Sequence, residues 1–258
     1  VKRASKTPER TKRPALEKIL FIPDTHAPYH DTQAFALLVK FAKWWKPTHV
    51  YILGDFVDMY SVSSHSKDPT RARNLESEIM SACDLLDDLE GIGTHRTYIM
   101  GNHEQRLERY LQEKAPELFN MVRVHQLLRL KERGWKHVAY RSHTKLGKLY
   151  ITHDIGKCGP RAHADARDAF QGSAVIGHTH RMGVDYAGDA HGATHVGAMF
   201  GHLLDLGQVD YMHKIGALKS WQTGFGIGYL DSSNGCVHLQ AIPILKGSCV
   251  VEGKKFTI

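Results

Sequence analysis

Val50-Tyr51-Ile52-Leu53-Gly54-Asp55-Phe56-Val57-Asp58 opens as a short apolar run and closes on a glycine and two carboxylates. A run of that length followed at once by Gly-Asp reads as a buried strand that delivers polar side chains at its tip. The pattern recurs on both sides. Ile19-Leu20-Phe21-Ile22 leads into Pro23-Asp24-Thr25-His26, and Thr97-Tyr98-Ile99-Met100 into Gly101-Asn102-His103-Glu104. Further on, Leu149-Tyr150-Ile151 precedes Thr152-His153-Asp154, and Ala174-Val175-Ile176 precedes Gly177-His178-Thr179-His180. Helical spacing fills the gaps. Residues 34–45 stop ahead of Pro47, whose ring disfavours helix in the residue before it. Residues 73–89 put Leu75, Ile79, Cys83, Leu86 and Leu89 near one face, with Gly91 placed to end the helix. An Arg-rich helical region runs from Glu104 to about Trp135, followed by a hairpin-like stretch around Gly147. Beyond His180 the composition turns to strands at 195–200, 225–230 and 236–244, the last two joined by a turn at Ser233-Asn234-Gly235. The alternation predicts an α/β fold, in which the carboxyl ends of strands face one crevice and side chains distant in sequence converge.

At 258 residues the chain is within reach of one large α/β domain, and 42% hydrophobic residues suffice for a core. The expected organisation is a flexible basic arm at residues 1–18 and a single domain at 19–258, with a basic helical insert at about 104–148. Net charge is +7, and it sits in two blocks. Residues 1–18 carry seven Lys/Arg against two Glu, and residues 104–148 carry eleven against five. Such clusters attract polyanions; the alternative is a solvated tail and charged helix faces. No apolar run approaches the roughly 18 residues that span a bilayer, and the N-terminus lacks a secretory apolar stretch. A cytoplasmic chain with no membrane partner is expected. Cys83, Cys158, Cys236 and Cys249 form no C-x-x-C pair and read as reduced, structural thiols. Oligomeric state is not fixed by any of these features.

The strand-end residues Asp24, His26, Asp55, Asn102, His153, His178 and His180 comprise two carboxylates, one amide and four imidazoles. This donor set suits manganese, iron, zinc or nickel, manganese being the expected ion, and the lack of thiolates argues against a structural zinc. Seven donors exceed the needs of one tetrahedral ion. Two divalent ions about 3.5–4 Å apart would use them all if one carboxylate bridges, and phosphoester hydrolysis is the natural chemistry of such a pair.

Asp24-x-His26, Gly54-Asp55-x-x-Asp58, Gly101-Asn102-His103-Glu104, His153 and Gly177-His178-x-His180 resemble, in order, the five motifs of the calcineurin-like metallophosphoesterase superfamily. The resemblance implies a four-layer α/β/β/α sandwich with two central mixed sheets. It implies one metal held by Asp24, His26, Asp55 and His180, and a second held by Asp55, Asn102, His153 and His178. It also implies that His103 is no ligand but a general acid near the leaving group, oriented by Asp58. That role is chemically sound, since a carboxylate stabilises an imidazolium able to donate to a departing alkoxide.

Departures from the family's branches bear on substrate. Where its protein phosphatases place arginines, this chain has Met59-Tyr60 and Met100, and where purple acid phosphatases place a metal-binding tyrosine it has Asp58. The basic block after His103 could grip a nucleic-acid backbone, with Tyr110, Trp135 and Tyr140 able to stack bases. Asn102, Arg106 and His30 are the expected substrate contacts, while His65, His143, His163, His191 and His195 read as surface or core. The expected enzyme is a phosphoesterase, either nuclease or end phosphatase, acting on nucleic acid or nucleotides. The alternative is a phosphomonoesterase acting on small-molecule or protein phosphates. A scaffold that retains the fold would show decayed motifs, and a zinc peptide hydrolase would need H-E-x-x-H.

Overall fold

The computed structural model describes residues 16–65, 67, 74–208 and 220–258. Its strands are β1 (Leu16–Ile22), β2 (His49–Ile52), β3 (His95–Ile99), β4 (Trp135–Val138), β5 (Thr144–Leu146), β6 (Leu149–Ile151) and β7 (Ala174–Ile176). There follow β8 (Met182–Gly188), β9 (Thr194–Phe200), β10 (Gly224–Asp231), β11 (Cys236–Pro243), β12 (Ser248–Val251) and β13 (Lys254–Thr257). The helices are α1 (Thr32–Trp45), α2 (Leu75–Asp88), α3 (Glu104–Lys114), α4 (Val124–Leu127) and α5 (Ala162–Phe170).

One mixed sheet runs β11-β10-β1-β2-β3-β4 and a second β5-β6-β7-β9-β8, with β12 and β13 forming a separate ribbon. Within the first, β1 to β4 are parallel and β10 and β11 antiparallel. The strand β1 shows how the layers stack. Leu20 and Ile22 pack into a cluster with α1 and α2 residues such as Phe35, Leu38, Leu85 and Leu86. Ile19 and Phe21, on the opposite face, meet Leu149, Ile151, Val175 and Phe200 of the second sheet. Alternate residues of a strand point to opposite faces, so an unbroken apolar run is what a strand buried on both sides requires. On the far side, Ala162 and Ala166 of α5 cover Ala174, Ile176 and Met199. The result is the expected four-layer α/β/β/α sandwich.

Local signals set the helix bounds. The Asp31 carboxylate accepts from the backbone N–H groups of Gln33 and Ala34, which starts α1 before the apolar spacing begins, and Lys46 ends it in the left-handed region ahead of Pro47. Asn74 caps α2 in the same way.

Several expectations need adjustment. Residues 1–15 of the expected arm and Arg73 of the expected helix lie outside the described residues, and Leu16–Ile22 already belong to β1. The segment 104–148 is helical only in its first part. Trp135–Val138 pairs in parallel with β3, because Trp135 and Val138 turn into the core while Lys136 and His137 face out. Trp135, only 4% exposed, is therefore a core residue and not a platform for bases. All four cysteines are free. Among the described residues no helix is long and apolar enough to cross a membrane.

Candidate metal centre

The strand tips of β1, β2 and β3 in one sheet and of β6 and β7 in the other meet at one place. Three overlapping groups have ligand atoms within 4.8 Å of one another: Asp24 with His26 and His180, His26 with Asp55 and His103, and Asp55 with His153 and His178. Asn102 joins them through its Oδ1, 3.0 Å from His153 Nε2. All seven expected ligands are thus brought together, and Asp55 stands between the two halves of the cluster. His30 is not among these groups; its ring packs 6.0 Å from that of Phe35 and its backbone bridges to Leu204.

Four of the side chains, those of Asp24, His26, Asp55 and His153, are aimed by a bond to the far end. His153 donates from Nδ1 to the Leu53 carbonyl at 2.8 Å, which leaves Nε2 for Asp55 Oδ2, 3.3 Å away. His26 donates from Nδ1 to Asp58 Oδ2 at 3.0 Å, so its Nε2 faces the Nε2 of His180 at 3.1 Å. Asp24 Oδ1 accepts from the His178 N–H and Asp55 Oδ1 from the His103 N–H. This is the outer-shell arrangement that fixes tautomer and orientation in metal sites. Two observations match a cation. The two facing Nε2 atoms can share at most one proton, and buried Asp24 Oδ2 has no partner but His180 Nε2, 3.0 Å away, which already faces His26. The donor set therefore fits one or two divalent ions.

The backbone accepts strain to achieve this. His26, Asp55, His178 and His180 have φ between 47° and 66°, a region that costs a residue with a side chain of order 1–3 kcal/mol. The motif glycines make room. A Cβ on Gly54 would stand 2.4 Å from His153 Nδ1, and one on Gly101 would stand 2.1 Å from Asp55 Oδ1.

Electrostatics follow from crowding. Burial alone would raise the Asp55 carboxyl, but the His153 and His103 imidazoles outweigh it and hold it well below the usual carboxylate range. Burial likewise opposes, and His103 and His26 overcome, the ionisation of Asp58, which also titrates far below its ordinary value. Against the cost of burial, Asp55 draws His153 up to about 10. A field that holds a proton so firmly on an imidazole is one that favours a cation in its place.

His103 makes contacts that the sequence does not foretell. Its Nδ1 donates to the Asp58 carbonyl at 2.9 Å, with the Asp58 carboxylate 3.3 Å away, so main chain and side chain both orient it. Arg106 donates to the Asp58 carbonyl at 2.9 Å and to its Oδ1 at 3.2 Å, and its other amino group lies 3.0 Å from His103 Nε2. A guanidinium only donates, so His103 Nε2 is the acceptor in this contact.

Three residues near the site were not anticipated. Glu104 is 1% exposed, and its carboxylate accepts from the N–H groups of Asp55, Phe56, Val57 and Gly101 and from the Tyr98 hydroxyl. It ties the loop after β2 to the loop after β3. His202, fully buried, accepts on Nδ1 from the Leu204 N–H, and burial lowers it to about 3. It follows β9 directly, so the strand-end rule that found the others would have flagged it. Trp221 packs against His180 with the two rings nearly perpendicular and their centroids 4.1 Å apart.

The family model for calcineurin-like phosphoesterases matches residues 17–182, the span that contains every one of the seven clustered donors. The gene 54 protein of Mycobacterium phage D29 is 26% identical over 258 residues, covering 92% of this chain and 97% of the relative. That of Mycobacterium phage L5 is 24% identical over 262 residues, covering 94% and 99%. Among solved structures, vacuolar protein sorting 29 from Cryptosporidium parvum superposes with a TM-score of 0.50 at 14% identity, over 94% of this chain and 99% of that one. That likeness concerns the fold alone.

Proposed function

The chain belongs to the calcineurin-like phosphoesterase family, and from that premise we propose that it hydrolyses phosphoester bonds of nucleic acids or nucleotides with the help of two divalent cations. The observation that carries this reading is the cluster itself, in which seven donors face one another around Asp55. Asp24, His26, Asp55 and His180 would hold one ion, and Asp55, Asn102, His153 and His178 the other. Such a pair, manganese being the ion we expect, lowers the pKa of a water and offsets charge developing on phosphoryl oxygens.

The rest is work for the chain's own side chains. His103 stands beside the cluster, its Nε2 3.8 Å from Asp55 Oδ2, within reach of a leaving oxygen bound there. To act as general acid it takes a second proton on Nε2, and the Asp58 carboxylate at 3.3 Å stabilises the imidazolium. Arg106 must then turn away from Nε2, and a substrate phosphoryl oxygen is the acceptor that its guanidinium would find. Asn102, half-buried at the edge of the cluster, would donate its amide N–H to the same phosphate and offer Oδ1 to the metal.

The nucleic-acid preference is supported by the basic block. On α3, which starts directly after His103, Arg109, Tyr110 and Lys114 face solvent. Other cations of the block are already engaged, Arg123 with Glu108 and Arg133 with Asp87. The test is an assay of manganese-loaded protein, with Asp55→Asn as contamination control, on labelled single- and double-stranded DNA and RNA beside simple phosphomonoesters and phosphodiesters. Cleavage or end dephosphorylation of nucleic acid that weakens steeply with salt is the expected result. Turnover confined to small monoesters would contradict the substrate class while leaving the chemistry standing.

A further inference from the structure

Between α3, α4 and the chain leaving β4 lies a cavity of about 190 Å³. One wall is Met100, the residue before Gly101-Asn102, and another is Tyr140, whose ring centroid is 6.3 Å from that of His153. The cavity therefore adjoins the Asn102 and His153 side of the ligand cluster. Gln105, Arg123, His125 and His137 complete the lining that matters.

Most of these groups are flat. The imidazoles of His125 and His137 stack with centroids 4.2 Å apart and planes 4° from parallel. The Arg123 guanidinium lies 4.4 Å over the Phe119 ring. The one permanent cation of the lining, Arg123, is already paired with a carboxylate and so is not free for a second phosphate. Arg123 Nε is 3.4 Å from Glu108 Oε1. Burial, helped by His137 and Arg123, holds His125 below the ordinary imidazole range. The nearby Glu104 carboxylate is fully committed to the loops. Aromatic and guanidinium faces with an amide edge are the means by which proteins take up unstacked bases: the faces stack and the amide offers a donor and an acceptor together. Gln105, the residue after Glu104, brings such an amide to the cavity wall.

We propose that this cavity receives a nucleobase, so that the site selects phosphoesters whose non-leaving side carries a nucleoside. The assignment rests on the nucleotide reading of the metal centre. The base is held on His137, Gln105 and Tyr140, away from the exposed face of α3.

The test compares two esters with one leaving group: the p-nitrophenyl ester of thymidine 5′-phosphate, repeated with the adenosine ester, and methyl p-nitrophenyl phosphate. His137→Ala and Gln105→Ala are made separately, each checked for an unchanged melting temperature. Both should raise KM for the nucleoside esters by about tenfold, at little cost in kcat, and leave the methyl ester's kinetics untouched. Equal effects on both kinds of ester, or no effect on either in both variants, would overturn the assignment while the nucleotide reading survived in the wild type. A wild type that cleaves the methyl ester but no nucleoside ester and no oligonucleotide would instead remove the nucleotide reading, and the base site with it. Short oligoribonucleotides and oligodeoxyribonucleotides run in parallel show which polymer supplies the base.

Discussion

Glu104 shows how much one residue outside the ligand set can govern. Five donors converge on its two buried oxygens, four from the two loops that carry Asp55 and Asn102 and one from Tyr98 of β3. Replacing one oxygen by an amide nitrogen sets N–H against N–H in a buried space, which costs of order 1–3 kcal/mol. Glu104→Gln should therefore lower the melting temperature by several degrees and reduce the metal retained after dialysis, although it touches no ion. A variant with wild-type melting and metal content would show that the loops hold themselves. His103→Ala separates chemistry from binding. Metal content should be unchanged, while esters with poor leaving groups slow by about 10²–10⁴-fold and those with good leaving groups slow far less. Uniform slowing would mean that His103 contacts phosphate and does not deliver a proton. The sequence disclosed these positions unequally. The ligands were legible because each sits at the end of an apolar run, whereas the role of Glu104 depends on which loops meet in space.

At the scale of elements, the two sheets are held by a close contact that a glycine permits. Phe200 at the end of β9 stacks on Phe21 of β1 with centroids 5.1 Å apart, and Gly226 of β10, paired with Phe21, lies beneath it. A Cβ at Gly226 would stand 2.3 Å from Phe200 Cδ2. Gly226→Ala should destabilise the fold by about 1–3 kcal/mol through overpacking, read as a lower melting temperature. An unchanged melting temperature would mean that the sheets slide apart at no cost. Strands buried on both faces, such as β1, β2 and β7, were readable as unbroken apolar runs. β8 was not, because it is the edge of its sheet and half-exposed along most of its length, so its residues carry little apolar signal. β4 was missed for a related reason, with two charged or polar residues between its two inward ones.

For the whole molecule, the convergence of loops from both sheets concentrates negative charge at one point, and binding of a cation there must displace protons. His153, drawn up to about 10, is protonated at neutral pH when no cation is present and must be neutral to act as a donor. A raised pKa means that the proton competes until the pH passes that value, so apparent metal affinity should climb with pH. Titrations with manganese between pH 6 and pH 8 should show about a tenfold gain per unit, one proton being released. A flat profile would mean that His153 is not a ligand. The most direct test of the two-ion centre is anomalous diffraction from crystals grown with manganese. Two peaks about 3.5–4 Å apart, with Asp55 between them and the nearer one to Asn102 and His153 lost in Asp55→Asn, are the expected result. A single peak, or two peaks that survive the substitution with turnover intact, would contradict a centre built around Asp55.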